Sequence, residues 1–187
     1  MSANIVVIYS GALRDVAERF GEAAEHLPAC VRVLWVPGDE RSEGGSAHPD
    51  ARFGDLEWAD GIAFGTPVGD GHPAPALMGF IEATEPLWSS GWLHDKVVTV
   101  FTDEPEHFAP DSVLHPIYDA LYHWGAVIVG PRAFELASDA QRRHGVSESG
   151  GPLSASRLKS AQYRARRLAR IAGVLADERA RRERREL

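Results

Sequence analysis

The stretch of residues 60–88 constrains the fold most, because its hydrophobic period changes once and a loop lies at the change. Residues 62–64 form a short apolar run, typical of a strand buried on both faces, and the run stops at Gly65. Proline or glycine then interrupts regular structure at positions 67, 69, 71, 73 and 75, after which apolar residues recur at helical spacing from Leu77 to Trp88. We therefore predict a buried strand, a rigid loop and one helix, in that order.

Four further segments carry the pattern of buried strands: residues 4–9, 31–36, 96–101 and 126–129. Helical periodicity marks residues 16–27, 111–123 and the chain from about Ser156 onward. This alternation predicts a doubly wound α/β domain with a five-stranded parallel sheet and helices on both faces. Ligands bind at the carboxyl edge of such sheets, so the loop after Gly65 should form the floor of a site.

Residues 1–176 are predicted to form this domain, and residues 177–187 a charged helical tail that frays where its apolar stripe ends. A length of 187 residues with 44% hydrophobic and 25% charged residues suits a single globular domain. No apolar run approaches the roughly 20 residues that span a bilayer, and no signal sequence is evident, which predicts a soluble, cytoplasmic protein. Cys30, the single cysteine, excludes an internal disulfide and is interpreted as a core residue rather than a nucleophile.

Charge is divided unevenly along the chain. Residues 156–187 hold eleven basic and four acidic side chains, a net of +7, which leaves −14 on residues 1–155. An acidic body repels a phosphate backbone, so nucleic acid is not expected as a partner. The basic terminal helix is interpreted as solvated or as facing another subunit.

Two other loops carry candidate site residues. A loop between the first strand and first helix offers free backbone N–H groups and the positive end of a helix dipole, a common way to hold phosphate; its residues are Ser10, Gly11, Ala12, Leu13 and Arg14. The loop after the fourth strand gathers three carboxylates and an imidazole: Asp103, Glu104, Glu106 and His107. Parallel topology should bring these loops to the same edge of the sheet.

The chain resembles the flavodoxin-like NAD(P)H:quinone oxidoreductases of the WrbA type, in register from Ile5 to about Leu175. Three blocks carry much of the resemblance: Phe64-Gly65-Thr66-Pro67, Leu87-Trp88-Ser89-Ser90-Gly91, and His123 with Gly125 and Val127-Ile128-Val129. It implies FMN as cofactor, with NAD(P)H and a quinone-like small molecule taking turns over the exposed ring face. It also implies a homo-oligomer, a dimer or tetramer, whose flavin pockets are bordered by neighbouring subunits.

The resemblance and the loop argument together assign the site residues. The predicted cofactor contacts are Ser10, Gly11, Ala12, Leu13, Arg14, Thr66, Pro67, Val68, Gly69, Asp70, Gly71, Thr102, Asp103, Glu104 and His123. His123 and Asp103 are the candidate catalytic residues, and the predicted substrate pocket contains Trp88, His72 and His107. No metal is assigned to this site.

The sequence departs from the family at the phosphate end, because the first loop is shorter and Ser10 is its only hydroxyl. Two alternatives therefore stay open. The fold could have lost FMN and use an acidic and imidazole-lined cleft for a divalent metal or for acid/base chemistry, with the residues Asp70, His72, Asp103, Glu104, Glu106 and His107. It could also be a non-catalytic interaction module that docks through its basic terminal helix.

Overall fold

The computed structural model describes residues 2–39, 48–69, 72–102, 111–130 and 155–186. The strands are β1 Ala3–Tyr9, β2 Ala29–Trp35, β3 Gly61–Gly65, β4 Val68–Gly69, β5 His72–Pro73, β6 Val97–Phe101 and β7 Val127–Ile128. The helices are α1 Arg14–Glu25, α2 Phe53–Trp58, α3 Pro75–Glu82, α4 Glu85–Ser89, α5 Asp111–His123 and α6 Ala155–Glu186.

Five strands form one parallel sheet in the order β2-β1-β3-β6-β7, which confirms the predicted doubly wound α/β fold. One face packs α1 and α6 through residues such as Phe20 and Leu168. The other face packs α2 to α5 through residues such as Leu56, Ile81 and Leu121. Strand β3 lies at the centre and all its residues are buried, since helices cover both of its faces.

The segment predicted as one helix over residues 77–88 is two helices, which is a correction to the sequence prediction. Helix α3 ends at Glu82 and α4 begins at Glu85. Pro86 explains the break, because proline has no N–H and its ring would clash with the carbonyl of Glu82 in a continuous helix. The preceding loop, predicted to be irregular, contains the short antiparallel hairpin of β4 and β5.

One smaller expectation was also wrong. Cys30 is exposed rather than in the core, because β2 is an edge strand. Helix α6 continues through the predicted helical tail to Glu186, and the fraying of its end stays a prediction. Polar contacts support this part of α6: Arg179 donates to the Asp60 carboxylate and to the backbone oxygen of Asp95. Among the helices of the described ranges, none is both long enough and apolar enough to cross a bilayer.

Lys96 is a buried cation at the amino edge of the sheet. Only 8% of the residue is exposed. Its ammonium group donates to the backbone oxygens of Glu57, at 2.8 Å, and Ala59, which lie at the end of α2. Burial, with the nearby Arg179 guanidinium as a second cause, lowers the pKa of Lys96 to about 8 from its ordinary 10.5.

This pKa shift predicts a pH-dependent stability. Between pH 8 and 10.5 the unfolded chain keeps the Lys96 proton and the folded chain releases it, so raising the pH favours the folded state. We expect the free energy of unfolding to rise by about 1 kcal/mol between about pH 7.5 and about pH 9. Urea denaturation of the wild type and of Lys96→Met checks this result. An equal pH slope in the two proteins would contradict the assignment.

Candidate functional site

The loops that follow three strands meet at the carboxyl edge of the sheet. The backbone N–H of Ser10 donates to the oxygen of Gly65 at 3.0 Å, and the N–H of Thr66 donates to the oxygen of Phe101 at 3.1 Å. These bonds continue the β-ladder one residue beyond β1, β3 and β6. The structure therefore brings together the starts of the three predicted loops, and we call the surface between residues 10–13, 66–69 and 102 the edge cleft.

Gly11 lets two of these loops touch. Its φ is 61°, in the left-handed region that favours glycine. A Cβ on Gly11 would lie 2.8 Å from the Cγ atom of Pro67. The first loop, residues 10–13, therefore approaches the loop after β3 at backbone distance, and this approach forms one wall of the edge cleft.

Two of the three hydroxyl side chains predicted to contact a cofactor, those of Ser10 and Thr66, support the loops. Ser10 is fully buried, and its Oγ donates to the oxygen of Gly65 at 3.4 Å. The Thr66 Oγ1 accepts from the N–H of Ala74 at 2.8 Å and donates to the oxygen of Pro67 at 3.0 Å, which bends the chain around the β4–β5 hairpin. Leu13 is also fully buried, in the core under α1. These three side chains shape the edge cleft without facing it.

Two polar groups at the first loop, the N–H of Gly11 and the Arg14 guanidinium, already have partners. The N–H of Gly11 donates to the Oδ2 atom of Asp39 at 2.8 Å. Arg14, the cation nearest to this loop in sequence, has 51% of its side chain exposed and donates to Glu18 at 2.8 Å. That hydrogen bond raises the pKa of Arg14. An exposed pair of this kind costs little to separate, so Arg14 can turn to another anion.

His123 and Trp88 lie at the opposite edge of the sheet. His123 is the last residue of α5, and the oxygen of Gly125 accepts from the N–H of Asp95 just before β6 begins. A five-residue strand rises about 16 Å, so His123 cannot reach the edge cleft of its own subunit. Trp88, 39% exposed, lies in α4 before the chain returns to the start of β6. One subunit therefore does not bring His123 or Trp88 to its own edge cleft, and the prediction that they border the cofactor or substrate stays a prediction.

The other predicted residues divide into two groups. His72 is exposed on β5, Thr102 is half-buried directly after β6, and Pro67, Val68 and Gly69 lead into the hairpin at the edge cleft. Six residues lie outside the described ranges: Asp70, Gly71, Asp103, Glu104, Glu106 and His107. Within the described ranges, no group of three or more His, Cys, Asp and Glu side chains is placed to hold a metal ion.

Sequence reasoning missed two residues at this edge, both in a segment interpreted as a surface excursion. The first is Asp39. The sequence feature that could have indicated it is an acidic residue directly after Pro37-Gly38, a pair typical of turns. The second is His48, whose Nδ1 lies 2.8 Å from the hydroxyl of Tyr9. Burial lowers the pKa of His48, although the nearby Glu18 opposes the shift. No local pattern predicts this contact, since Tyr9 and His48 are far apart in sequence.

A separate apolar groove lies between α2 and α3. It has a volume of about 470 Å³, and its lining includes Phe53, Phe80 and Gly79. Its lining shares no residue with the edge cleft, although it includes Pro37 and Gly38 next to Asp39. The candidate site therefore depends on the loops at the carboxyl edge and not on this groove.

No protein-family model matches the chain. A protein of Syntrophus aciditrophicus (strain SB) named NAD(P)H dehydrogenase (quinone) is 33% identical over 198 residues, covering 91% of this chain and 98% of that protein. Its namesake from Syntrophobacter fumaroxidans (strain DSM 10017 / MPOB) is 34% identical over 198 residues, with 91% and 97% covered. Among solved structures, a WrbA-like flavodoxin from Agrobacterium tumefaciens matches with a TM-score of 0.63 at 24% identity, covering 91% of this chain and 98% of that one.

Proposed function

Since the chain belongs to the NAD(P)H dehydrogenase (quinone) family, we propose that it is an FMN-dependent oxidoreductase that transfers hydride from NAD(P)H to a quinone-like acceptor. The observation that carries this proposal is the similarity, which extends over nearly the whole length of relatives so named. The position of the edge cleft supports it, because flavodoxin-like sheets bind flavin at the carboxyl edge.

The edge cleft can be compared directly with what a flavin needs. The ring needs backbone N–H donors along its edge, and Val68 and Gly69, which follow Pro67, carry such groups beside an exposed His72. The ribityl chain would pass Thr102, which is half-buried at the end of β6. The phosphate would face Ala12 and the first turn of α1, where Arg14 could turn from Glu18. At the phosphate end, the Asp39 carboxylate already accepts the N–H of Gly11.

When bound, the flavin supplies the hydride chemistry, and the protein binds, orients and excludes water. The close approach of Gly11 to Pro67 holds the first loop against the chain that follows β3. Thr66 bonds to Pro67 and Ala74, so these parts of the backbone on either side of the hairpin are held together before a ligand binds. NAD(P)H and quinone would then use the same open face in turn.

Flavin binding is the first test of this function. We expect the purified protein, after incubation with FMN and removal of free ligand, to show a flavin absorption band and to oxidise NAD(P)H when a soluble quinone is added. Bound FMN at 100 times its Kd should stabilise the folded state by about 2.7 kcal/mol. The proposal would be refuted if the protein is colourless, if added FMN does not change its melting temperature, and if it does not oxidise NAD(P)H in the presence of quinone.

We also propose a homo-oligomer in which His123 and Trp88 of a second copy border the flavin. Support comes from their place at the amino edge, since one subunit cannot bring them to its own edge cleft. Two further exposed aromatic side chains lie near them in sequence: Trp92 is 59% and Tyr122 75% exposed. Aromatic surface of this kind is enriched where protein chains associate.

His123→Ala tests this arrangement. We expect FMN affinity to fall about three- to tenfold, because one aromatic contact is lost. Stability should hold, since His123 is exposed. His115→Ala, an exposed histidine on the same helix, is the matched control and should bind FMN as the wild type does. Light scattering should show an oligomer. A monomer that binds FMN with wild-type affinity in both variants would contradict the proposal.

A further inference from the structure

A tight turn fixes Asp39 beside the first loop. The N–H of Asp39 donates to the oxygen of Val36 at 3.4 Å, which closes a four-residue turn around Pro37 and Gly38. Gly38 has a φ of 80°, the value that a type II turn requires at its third residue, and proline is favoured at the second. The turn begins where β2 is still bonded to β1, through the N–H of Val36 and the oxygen of Tyr9. Asp39 is therefore held in place by local backbone geometry.

The Asp39 carboxylate accepts a hydrogen bond from a backbone N–H group of the kind that binds phosphate. Its Oδ2 accepts the N–H of Gly11 at 2.8 Å, in the loop between β1 and α1. Backbone N–H groups between a strand and the next helix, near the positive end of the helix dipole, commonly hold phosphate oxygens. The contact of Gly11 with Pro67 leaves this loop little freedom to turn the N–H elsewhere. A carboxylate oxygen thus stands where a phosphate oxygen would be bound.

Among the described residues of the first loop and its helix start, one cation is available to offset this negative charge, and it already has an acidic partner. The hydroxyl of Ser10 donates to Gly65 and is buried. Among residues 10–14, Arg14 carries the only positive charge, and it pairs with Glu18. A phosphate dianion entering the loop would meet the Asp39 carboxylate at close range, where like charges repel strongly outside bulk water. A flavin that ends in a neutral ribityl hydroxyl would meet no such repulsion and could donate to the carboxylate.

We infer that Asp39 is a specificity-determining residue that competes with the flavin phosphate for the N–H of Gly11. The chain therefore distinguishes poorly between FMN and riboflavin, and FMN enters only by displacing the carboxylate. This inference rests on the proposed flavin-dependent function, but it concerns the ratio of two affinities and not activity. It attributes the weak discrimination between FMN and riboflavin to the side chain of Asp39.

The test compares FMN and riboflavin binding to the full-length apoprotein, measured by quenching of flavin fluorescence. In wild type, the two dissociation constants should agree within about threefold. In Asp39→Asn, the shape and the oxygen acceptor for Gly11 remain but the charge is gone, so FMN should bind at least about tenfold more tightly and riboflavin about equally. Asp119→Asn removes the same charge from an exposed position on α5 and should change neither constant.

The outcomes separate this inference from the proposed function. If both flavins bind every variant and Asp39→Asn leaves the ratio of the constants unchanged, Asp39 does not control specificity, while the flavin function stands. If the wild-type protein binds FMN about a hundredfold or more tightly than riboflavin, Asp39 likewise does not control specificity. If neither flavin binds any variant, both proposals fall. Thermal melts of Asp39→Asn with and without FMN give a second readout, and the FMN-induced shift should exceed that of wild type.

Discussion

Replacing Gly65 with alanine should destabilise the protein by about 3 kcal/mol, because the new methyl group overpacks a filled site at the end of the central strand. A Cβ there would lie 2.5 Å from the ring of Phe101 and 3.1 Å from the Cβ of Tyr9. Neither neighbour can move freely: the ring of Phe101 stacks on Phe20 with centroids 5.2 Å apart, and both rings are buried. Urea denaturation measures the loss.

Flavin affinity should fall in the same variant. Gly65 accepts the bonds from the backbone and the hydroxyl of Ser10, and Phe101 accepts from Thr66, so moving either residue displaces the loops of the edge cleft. Gly54→Ala is the matched control: it adds the same methyl group in α2, where no atom lies within 4 Å. It should be neutral or stabilise by up to about 1 kcal/mol. Equal stability of the two variants would show that Gly65 is not sterically required.

Gly11→Ala should cost about 2–5 kcal/mol, for two separate reasons. An alanine held at a φ of 61° has a strain of about 1–2 kcal/mol. Its Cβ would also lie 2.8 Å from the Pro67 ring, which adds an overpacking cost of about 1–3 kcal/mol. The first loop, residues 10–13, would be forced away from Pro67 and the chain that follows β3. We expect FMN affinity to fall by at least about tenfold, since a misplaced loop loses its backbone contacts with the ligand.

A second glycine separates these two costs. Gly91 has a φ of 81°, and no atom lies within 4 Å of the position of a Cβ. Gly91→Ala therefore measures the left-handed strain alone, about 1–2 kcal/mol in thermal or urea denaturation. The difference between the two variants is the contribution of the Gly11–Pro67 contact. If both variants lose the same stability, the loops do not touch as described.

The fold was predictable because its signals are local. The apolar run at residues 62–64 and the interruption after Gly65 predicted the central strand and its loop, and the same pattern located the other strands of the sheet. Strand-helix alternation then restricts the topology to a few choices, since crossovers between parallel strands are right-handed. The prediction of a single helix over residues 77–88 was wrong. Pro86 lies within the periodic pattern, and its ring prevents a continuous helix even though the apolar spacing continues past it.

The candidate site was predicted only in outline. Parallel topology placed the loops after β1, β3 and β6 at one edge, and the structure joins them there. The roles of Ser10 and Thr66 could not be predicted, because a hydroxyl that faces a ligand and one that bonds to a neighbouring loop look the same in sequence. The position of His123 at the far edge follows from the direction of α5, which runs back along the sheet from the carboxyl edge.

By itself, the sequence determined which segments are strands and helices and which edge of the sheet carries the loops, because hydrophobic period and glycine and proline positions act over a few residues. Only the tertiary structure decided what fills that edge. The contact of Asp39 with Gly11 joins residues 28 apart, and that of Tyr9 with His48 joins residues 39 apart. Such pairs form only when the sheet brings separate turns together, and they determine the charge and donors that a ligand meets.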